Sequence, residues 1–291
     1  MILFFSCFLA RNEIFSLLLQ PISDIMNNFA KRVITGLTLV AITITLLVIS
    51  QYGVLIVGVV VSTLSLWEFL SLASINAPQY TWTAMAICAV AWGIMVFGGN
   101  YGQIAFLAVP LISFIHLADA KNTDIFNAWG KMSLGFLYCL VPMMLFYQFS
   151  FVNGAYNWRI PLGIIVINGW MDTMAYFAGK YFGKHPMSLR LSPKKTWEGF
   201  AGGFVATWIA GIVCHFTLTD AGINWLIITA IISIFNQPAD LVESMLKRSV
   251  HIKDSGGLLP GHGGMLDRCD SYFILFPIIY VYLSLAQILA N

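Results

Sequence analysis

Charged side chains and glycines are concentrated in one short stretch near the C-terminal end of the chain. Residues 244–270 read SMLKRSVHIKDSGGLLPGHGGMLDRCD, whereas only 10% of all residues are charged. Lysine and arginine neutralise phosphate oxygens, carboxylates hold Mg²⁺, and glycines let backbone N–H groups approach phosphates closely. A stretch that combines all three predicts a site for a metal ion and nucleotide phosphates.

The residues that lead into this stretch form one face of a predicted helix. Asp240, Glu243, Ser244 and Lys247 are spaced at i, i+3, i+4 and i+7. The preceding residues 236–238 are Asn-Gln-Pro. Proline removes a backbone donor and bends a helix, and broken helices at membrane depth line cavities or sites, so we expect a broken helix here. A simpler interpretation of Glu243 and Lys247 is an ion pair at a helix end.

A second polar segment, residues 192–199, reads SPKKTWEG. Serine followed by proline is typical of the N-cap and first turn of a helix, so we expect a helix to begin at Ser192. A helix start that carries Lys194 and Lys195 attracts anions through free N–H groups and the helix dipole. The alternative is a basic loop that lies against anionic lipid headgroups.

The first stretch resembles the signature of the phosphatidate cytidylyltransferase family, also known as CDP-diacylglycerol synthases. That signature is S-x-x-K-R-x-x-x-x-K-D-x-G-x-x-L-P-x-H-G-G-x-x-D-R-x-D, and the residues that match it here are Ser244, Lys247, Arg248, Lys253, Asp254, Gly256, Leu259, Pro260, His262, Gly263, Gly264, Asp267, Arg268 and Asp270. Cys269 departs from the aliphatic residue or threonine that is usual in the family, at a position that looks like packing. The SPKKTxEG segment and the segment around Asp172 are also similar to the family.

The resemblance implies a reaction in which CTP and phosphatidate give CDP-diacylglycerol and pyrophosphate. It implies a two-metal site for Mg²⁺ and a second cation such as K⁺, with Asp240 and Asp267 as the expected ligands. Asp254 and Asp270 would support them, and the basic residues would contact phosphates. The expected catalytic residues are Asp240, Lys247, Arg248, Lys253, Asp254, His262, Asp267, Arg268 and Asp270. The expected substrate-binding residues are Asp172, Ser192, Lys194, Lys195, Thr196, Glu198, Ser244, Gly263 and Gly264. The family also suggests a homodimer.

Composition places these residues in a membrane protein. The chain is 59% hydrophobic, with a mean hydropathy of +0.81. A soluble domain is nearer half apolar and a quarter charged, so the fold class expected is all-α, an integral membrane protein with many spans. The net charge of +2 is too small to suggest a nucleic-acid partner.

Apolar runs of the length that a bilayer core requires predict nine membrane-spanning helices. Their expected bounds are 33–50, 53–74, 82–98, 103–118, 132–152, 161–179, 199–219, 223–245 and 271–290. Residues 26–291 are expected to form a single membrane domain. Residues 1–25 are expected to be an N-terminal extension, either an interfacial helix or the result of an upstream start codon, with Met26 as the true beginning.

The basic residues predict the orientation of the protein in the membrane. With the N-terminus in the cytoplasm, Arg159 is the only one of the 15 Lys and Arg residues that falls outside. Both polar segments, 180–198 and 246–270, then face the cytoplasm, where nucleoside triphosphates are found. We therefore expect a bacterial inner-membrane protein with a polar pocket that opens to the cytoplasm.

Four acidic residues fall inside the predicted spans, toward the cytoplasmic side: Glu68, Asp172, Asp240 and Glu243. Each charge costs about 2.5–3.5 kcal/mol to insert, so each is a candidate for function. For Asp172 the alternative is a buried aspartate that bonds to a neighbouring hydroxyl. Two other functions also remain open, a CTP-dependent polyprenol or phytol kinase and an ion-coupled transporter that uses Glu68, Asp172 and Asp240 as cation sites.

Overall fold

The described residues form a bundle of long apolar helices with two short hairpins at its ends. The computed structural model describes residues 36–73, 78–109, 125–218, 223–256 and 263–290. The helices of these ranges are α1 (Gly36–Ile49), α2 (Gln51–Leu72), α3 (Pro78–Phe97), α4 (Ile125–Gly135), α5 (Val141–Phe149), α6 (Arg159–Phe182), α7 (Trp197–Thr217), α8 (Trp225–Ser249) and α9 (Leu266–Ala290). A 3₁₀ segment, Gly99–Leu107, follows α3, and a π-helical turn, Phe136–Leu140, joins α4 to α5.

The expected all-α membrane architecture is confirmed. Within the described ranges, seven helical segments are long and apolar enough to cross a membrane, with α4 and α5 acting as one segment, and α1 is a shorter apolar helix. These eight match eight of the predicted spans. The remaining one, 103–118, overlaps the 3₁₀ segment and then enters residues 110–124, which lie outside the described residues. The predictions for residues 1–25 also lie outside them.

The helix break that Pro238 suggested is absent, because α8 continues as an α-helix from Trp225 to Ser249 with the proline inside it. A proline in a helix removes one hydrogen bond, and the many other bonds and contacts of a 25-residue helix can hold it continuous. The irregular turn occurs instead at Phe136–Leu140, directly before Pro142 near the start of α5. Because Pro142 has no N–H to donate to the previous turn, a wider turn forms there readily.

Small residues bring α6 and α7 into close contact. A Cβ added to Gly202 would lie 2.3 Å from the Cβ of Ala178, and one added to Gly199 would lie 2.8 Å from the carbonyl oxygen of Ala175. Helices in membranes pack closely where such small residues meet. This contact fixes the segment after α6 against the beginning of α7.

The helix expected to begin at Ser192 begins five residues later, at Trp197. Residues Ser192–Thr196 form strand β4, which pairs antiparallel with β3, Pro186–Ser188. A residue before proline favours an extended backbone, so Ser192 suits a strand better than a helix cap. Thr196 is the actual N-cap, and its Oγ1 accepts a hydrogen bond from the N–H of Gly199 at 3.1 Å.

The ends of the bundle differ in character. At one end lie the C-terminal parts of α2, α6 and α8, the start of α9 and the β3–β4 hairpin. Polar contacts described below join these elements, and we refer to this end as the polar end. At the other end lies the hairpin of β1 (Phe151–Val152) and β2 (Ala155–Tyr156), where Tyr156 donates to the carbonyl of Leu47 at 2.6 Å. Both polar segments singled out in the sequence thus reach the same end of the protein.

Candidate active site

Three carboxylates meet at the polar end. Asp240 and Glu243 lie one turn apart on α8, and Asp270 lies near the beginning of α9. One carboxylate oxygen from each lies within 4.8 Å of the others. We refer to these three residues as the acidic cluster.

The acidic cluster has the donor chemistry of a divalent-cation site. Mg²⁺ and Ca²⁺ prefer carboxylate oxygens. Glu243 is fully buried, and in the described part of the chain its Oε1 has no hydrogen-bond partner. A buried ionised carboxylate is costly unless it is paired; Lys247 pairs with Glu243 Oε2, and a metal ion would satisfy Oε1 as well. The residues present therefore fit a bound divalent cation.

Lys247 connects the acidic cluster to Asp267. Its Nζ lies 2.5 Å from Glu243 Oε2 and 2.6 Å from Asp267 Oδ1. The ion pair between Glu243 and Lys247 that the sequence offered as a simpler interpretation is therefore present, as part of a larger arrangement. Lys247 is mostly buried, so this ammonium group balances two carboxylates in a place where water screens little.

Asp267 lies beside the acidic cluster, and its oxygens have other partners. Its Oδ1 pairs with Lys247, and its Oδ2 accepts the backbone N–H groups of Ser255 and Gly264, both at 2.9 Å. The structure thus gathers Glu243 and Asp270 around Asp240, while Asp267 holds the loop before α9. A metal-ligand role for Asp267 stays a prediction.

The β3–β4 hairpin reaches the acidic cluster through Lys195, whose Nζ forms an ion pair with Asp240 Oδ2. Both side chains are largely buried, at 19% and 27% exposure, so this pair is less screened than one on an open surface. Lys194, the next residue back, is exposed. The two polar segments of the sequence therefore contribute to one site.

The buried amide side chains of Asn168 and Asn236 form a hydrogen-bond network next to the acidic cluster. Asn236 Nδ2 donates to Asp172 Oδ1 at 2.9 Å and to Asn168 Oδ1 at 2.8 Å. Asn168 in turn donates to the hydroxyl of Ser271 at 3.0 Å. The network joins α6, α8 and α9, and Asp172 bonds to an amide, not to the hydroxyl of the alternative interpretation. Sequence reasoning missed Asn168 and Ser271, whose signal is a polar residue within an otherwise apolar run.

Two of the residues predicted to bind substrate have local structural partners. Glu198 accepts the backbone N–H groups of Lys184 at 3.0 Å and of His185 at 3.2 Å, and its Oε1 lies 2.5 Å from His185 Nδ1. Thr196 caps α7. Both residues fix the hairpin that carries Lys195, and direct contact with a substrate stays a prediction for each.

The other predicted site residues lie in or next to the segment between α8 and α9. Arg248 donates to the carbonyl of Ile252 at 2.7 Å and so closes the turn after α8. Gly263 has a positive φ of 83°, which suits glycine in the turn before α9. Ser244 is buried, whereas three charged side chains at this end are exposed: Lys253, Asp254 and Arg268. His262 lies outside the described residues.

Glu68 of α2 also lies at the polar end, as its place among the acidic residues of the spans suggested. Its carboxylate accepts the backbone N–H groups of Met265 at 3.0 Å and Leu266 at 2.8 Å. It therefore contacts the start of α9 and does not belong to the acidic cluster.

Comparison with known proteins places this arrangement in a family. The profile of the cytidylyltransferase family matches residues 30–286. A Bacillus subtilis (strain 168) protein named phosphatidate cytidylyltransferase is 38% identical over 186 residues, which cover 63% of this chain and 68% of the relative. A Staphylococcus aureus (strain COL) protein of the same name is 31% identical over 258 residues, which cover 85% of this chain and 97% of the relative. The chain belongs to the cytidylyltransferase family.

Proposed function

We propose that this protein transfers the CMP moiety of CTP to phosphatidate and releases pyrophosphate, which makes CDP-diacylglycerol for phospholipid synthesis. The observation that carries the proposal is the acidic cluster with Lys195 and Lys247 at its edge. Family membership and the names of the relatives support the same reaction.

In this reaction a phosphate oxygen of phosphatidate attacks the α-phosphorus of CTP. The bond from that phosphorus to the bridging oxygen breaks, and pyrophosphate leaves with the electron pair. Because the attacking oxygen is already anionic, the site does not need a strong general base. Its main task is to bring polyanions together and to stabilise the charge on the leaving group.

The residues that would hold the divalent cation are Asp240, Glu243 and Asp270, and we take the ion to be Mg²⁺, with a second cation such as K⁺. Bound Mg²⁺ would supply charge neutralisation on the phosphate oxygens and on the departing pyrophosphate. Asp267 and Lys247 would keep the neighbouring loop and Glu243 in place.

The basic residues have separate tasks in this proposal. Lys195 forms an ion pair with Asp240 in the structure, and its ammonium group is close enough to the acidic cluster to contact a phosphate held there. The exposed Lys194, Lys253 and Arg268 would meet the outer phosphates of CTP or the headgroup of phosphatidate. Arg248 would hold the turn that presents them.

The membrane setting is part of the proposal. We place the polar end at the cytoplasmic face of a bacterial inner membrane, on the basis of the distribution of basic residues. The acyl chains of phosphatidate would stay in the lipid while the headgroup enters the site from the side. A homodimer is the expected assembly, and native mass spectrometry of the protein in lipid nanodiscs would measure it.

The proposed reaction is tested with purified protein in phosphatidate vesicles and CTP labelled at the α- or the γ-phosphorus. The proposal requires α-label in the lipid and γ-label in pyrophosphate. Transfer of the γ-label into lipid would instead show a lipid kinase. The Asp240→Asn variant is the matched control, because it retains the shape of the side chain and removes the charge.

A further inference from the structure

Glu68 holds the beginning of a helix that is almost two hundred residues away in the sequence. It lies on α2 and is only 4% exposed, yet its Oε1 accepts the N–H of Met265 and its Oε2 accepts the N–H of Leu266. The first N–H groups of a helix have no partner within the helix, and the helix dipole favours a negative charge there. Glu68 therefore acts as an N-terminal cap for α9 that is supplied by another helix.

The same carboxylate also contacts the loop before α9. Ser255 Oγ lies 3.4 Å from Glu68 Oε2. A Cβ added to Gly264 would lie 2.5 Å from Glu68 Oε2, and one added to Gly256 would lie 2.8 Å from Oε1. Any side chain at either glycine would therefore push the Glu68 carboxylate away from the N–H groups that it holds.

The segment that Glu68 binds also contains acidic residues of the candidate active site. Asp267 and Asp270 lie near the start of α9, and Asp267 contacts the same loop through Ser255 and Gly264. The rotation of α9 about its axis and its position along that axis determine how far the Asp270 carboxylate lies from those of Asp240 and Glu243. Both oxygens of Glu68 already accept backbone N–H groups, which argues against a mobile cation at this residue.

We infer that Glu68 is a positioning residue, which fixes the start of α9 to α2 and thereby holds Asp270 within the acidic cluster. Its effect on catalysis rests on the proposed function, whereas its effect on the helix start does not. Residues that orient metal ligands in this indirect way typically change metal affinity or activity by about 10- to 100-fold when replaced.

The test compares Glu68→Gln with Ser65→Ala in lipid nanodiscs. Glutamine is similar in size, but its NH₂ group must face one of the two N–H donors, so one bond is lost. Ser65 lies one turn earlier on α2, is equally buried, and its hydroxyl has no hydrogen-bond partner among the described residues. It therefore controls for general damage to α2.

We expect two changes in Glu68→Gln and neither in Ser65→Ala. Amide hydrogen exchange in the peptide that contains Met265 and Leu266 becomes at least about 10-fold faster, because a bond to a charged acceptor is lost. The Mg²⁺ concentration for half-maximal activity rises at least about 10-fold, whereas the KM for CTP at saturating Mg²⁺ changes less. A role in folding alone would lower the thermal stability and speed exchange across the whole protein rather than at the start of α9, and it would leave the Mg²⁺ requirement unchanged.

Unchanged exchange at the start of α9 in Glu68→Gln would overturn the inference, whatever the activity. If that variant does not fold, Gly256→Ala serves the same test, because its methyl group displaces Glu68 Oε1 from the N–H of Met265. Wild-type exchange rates at Met265 and Leu266 in Gly256→Ala would overturn the inference equally. If the wild-type protein makes no CDP-diacylglycerol, the proposed function fails, and the exchange measurement still decides the role of Glu68.

Discussion

The carboxylate oxygens of Asp267 and of Glu243 differ in their hydrogen-bond partners. Asp267 accepts from Lys247 and from two backbone N–H groups, whereas Glu243 Oε1 has no hydrogen-bond partner in the part of the chain that the structure describes. An oxygen that already accepts two hydrogen bonds, as Asp267 Oδ2 does, has little capacity left for a cation. At the scale of single residues, this difference favours Glu243 over Asp267 as a partner of Asp240, and the short distances within the acidic cluster favour Asp270 in the same way.

This preference predicts different effects for the two acidic residues at the start of α9. Asp270→Asn removes a charge from the acidic cluster, and we expect the rate to fall about 100-fold and the Mg²⁺ requirement to rise. Asp267→Asn weakens the loop contacts, and we expect a lower thermal stability with a Mg²⁺ requirement within about 3-fold of the wild type. Activity measured across a Mg²⁺ titration checks both, and the reverse pattern would make Asp267 the ligand.

The shared ion pair of Lys247 leads to a second prediction. Lys247→Met leaves Glu243 and Asp267 without their counter-charge, and the loss of one partner of a buried pair costs about 3–5 kcal/mol. We expect a lower unfolding temperature for the single variant and a partial recovery in the double variant Lys247→Met with Glu243→Gln. Thermal unfolding in detergent measures both. Activity is expected to stay low in each, and a single variant as stable as the wild type would contradict the role of Lys247.

Residue types were predictable from the sequence, but their partners were not. The charged and glycine-rich stretch and the acidic residues within apolar runs both contain side chains that lie at the polar end. Asp267 and Asp270 are three residues apart on one helix, so their spacing gives both nearly the same direction. Which of them meets Asp240 depends on how α9 is rotated, and distant contacts such as that of Glu68 fix this rotation.

At the scale of elements, the β3–β4 hairpin positions the ammonium group of Lys195 at the acidic cluster. Lys195 pairs with Asp240, whereas Arg190 in the same hairpin turn is exposed. We expect Lys195→Gln to lower kcat/KM for CTP about 10- to 100-fold, because a charged contact in a partly buried site is lost. Arg190→Gln removes the same charge and should change kcat/KM by less than about 3-fold. Equal losses in both variants would indicate a general effect of basic charge rather than a placed ammonium group.

The element boundaries show where local sequence rules were insufficient. The pair of Ser192 and Pro193 satisfied the rule for a helix start, but Thr196 offers a cap immediately before the apolar run and the strand uses the preceding residues. Pro238 satisfied the rule for a break, and α8 continues through it. At Ser192 the extended backbone that precedes a proline outweighs the capping rule, and at Pro238 the other hydrogen bonds of a 25-residue helix keep it continuous.

At the scale of the whole molecule, the polar end and the β1–β2 hairpin lie at opposite ends of the bundle. The spans were predictable because a bilayer requires long apolar runs, and the seven long helical segments confirm this. The side of the membrane at which each end lies follows only from the basic residues. The β3–β4 hairpin, which contains Lys194 and Lys195, should then lie in the cytoplasm.

This orientation predicts opposite accessibility for cysteines placed in the two hairpins. Leu189→Cys lies in the turn of the β3–β4 hairpin, and Ala155→Cys lies in the β1–β2 hairpin; both positions are exposed. A maleimide that does not cross membranes should label Ala155→Cys in intact spheroplasts and Leu189→Cys only in inside-out vesicles. The unmodified chain controls for its native thiols. Labelling of Leu189→Cys from outside would place the acidic cluster on the side of the membrane without CTP, and the proposed reaction would then lack its nucleotide.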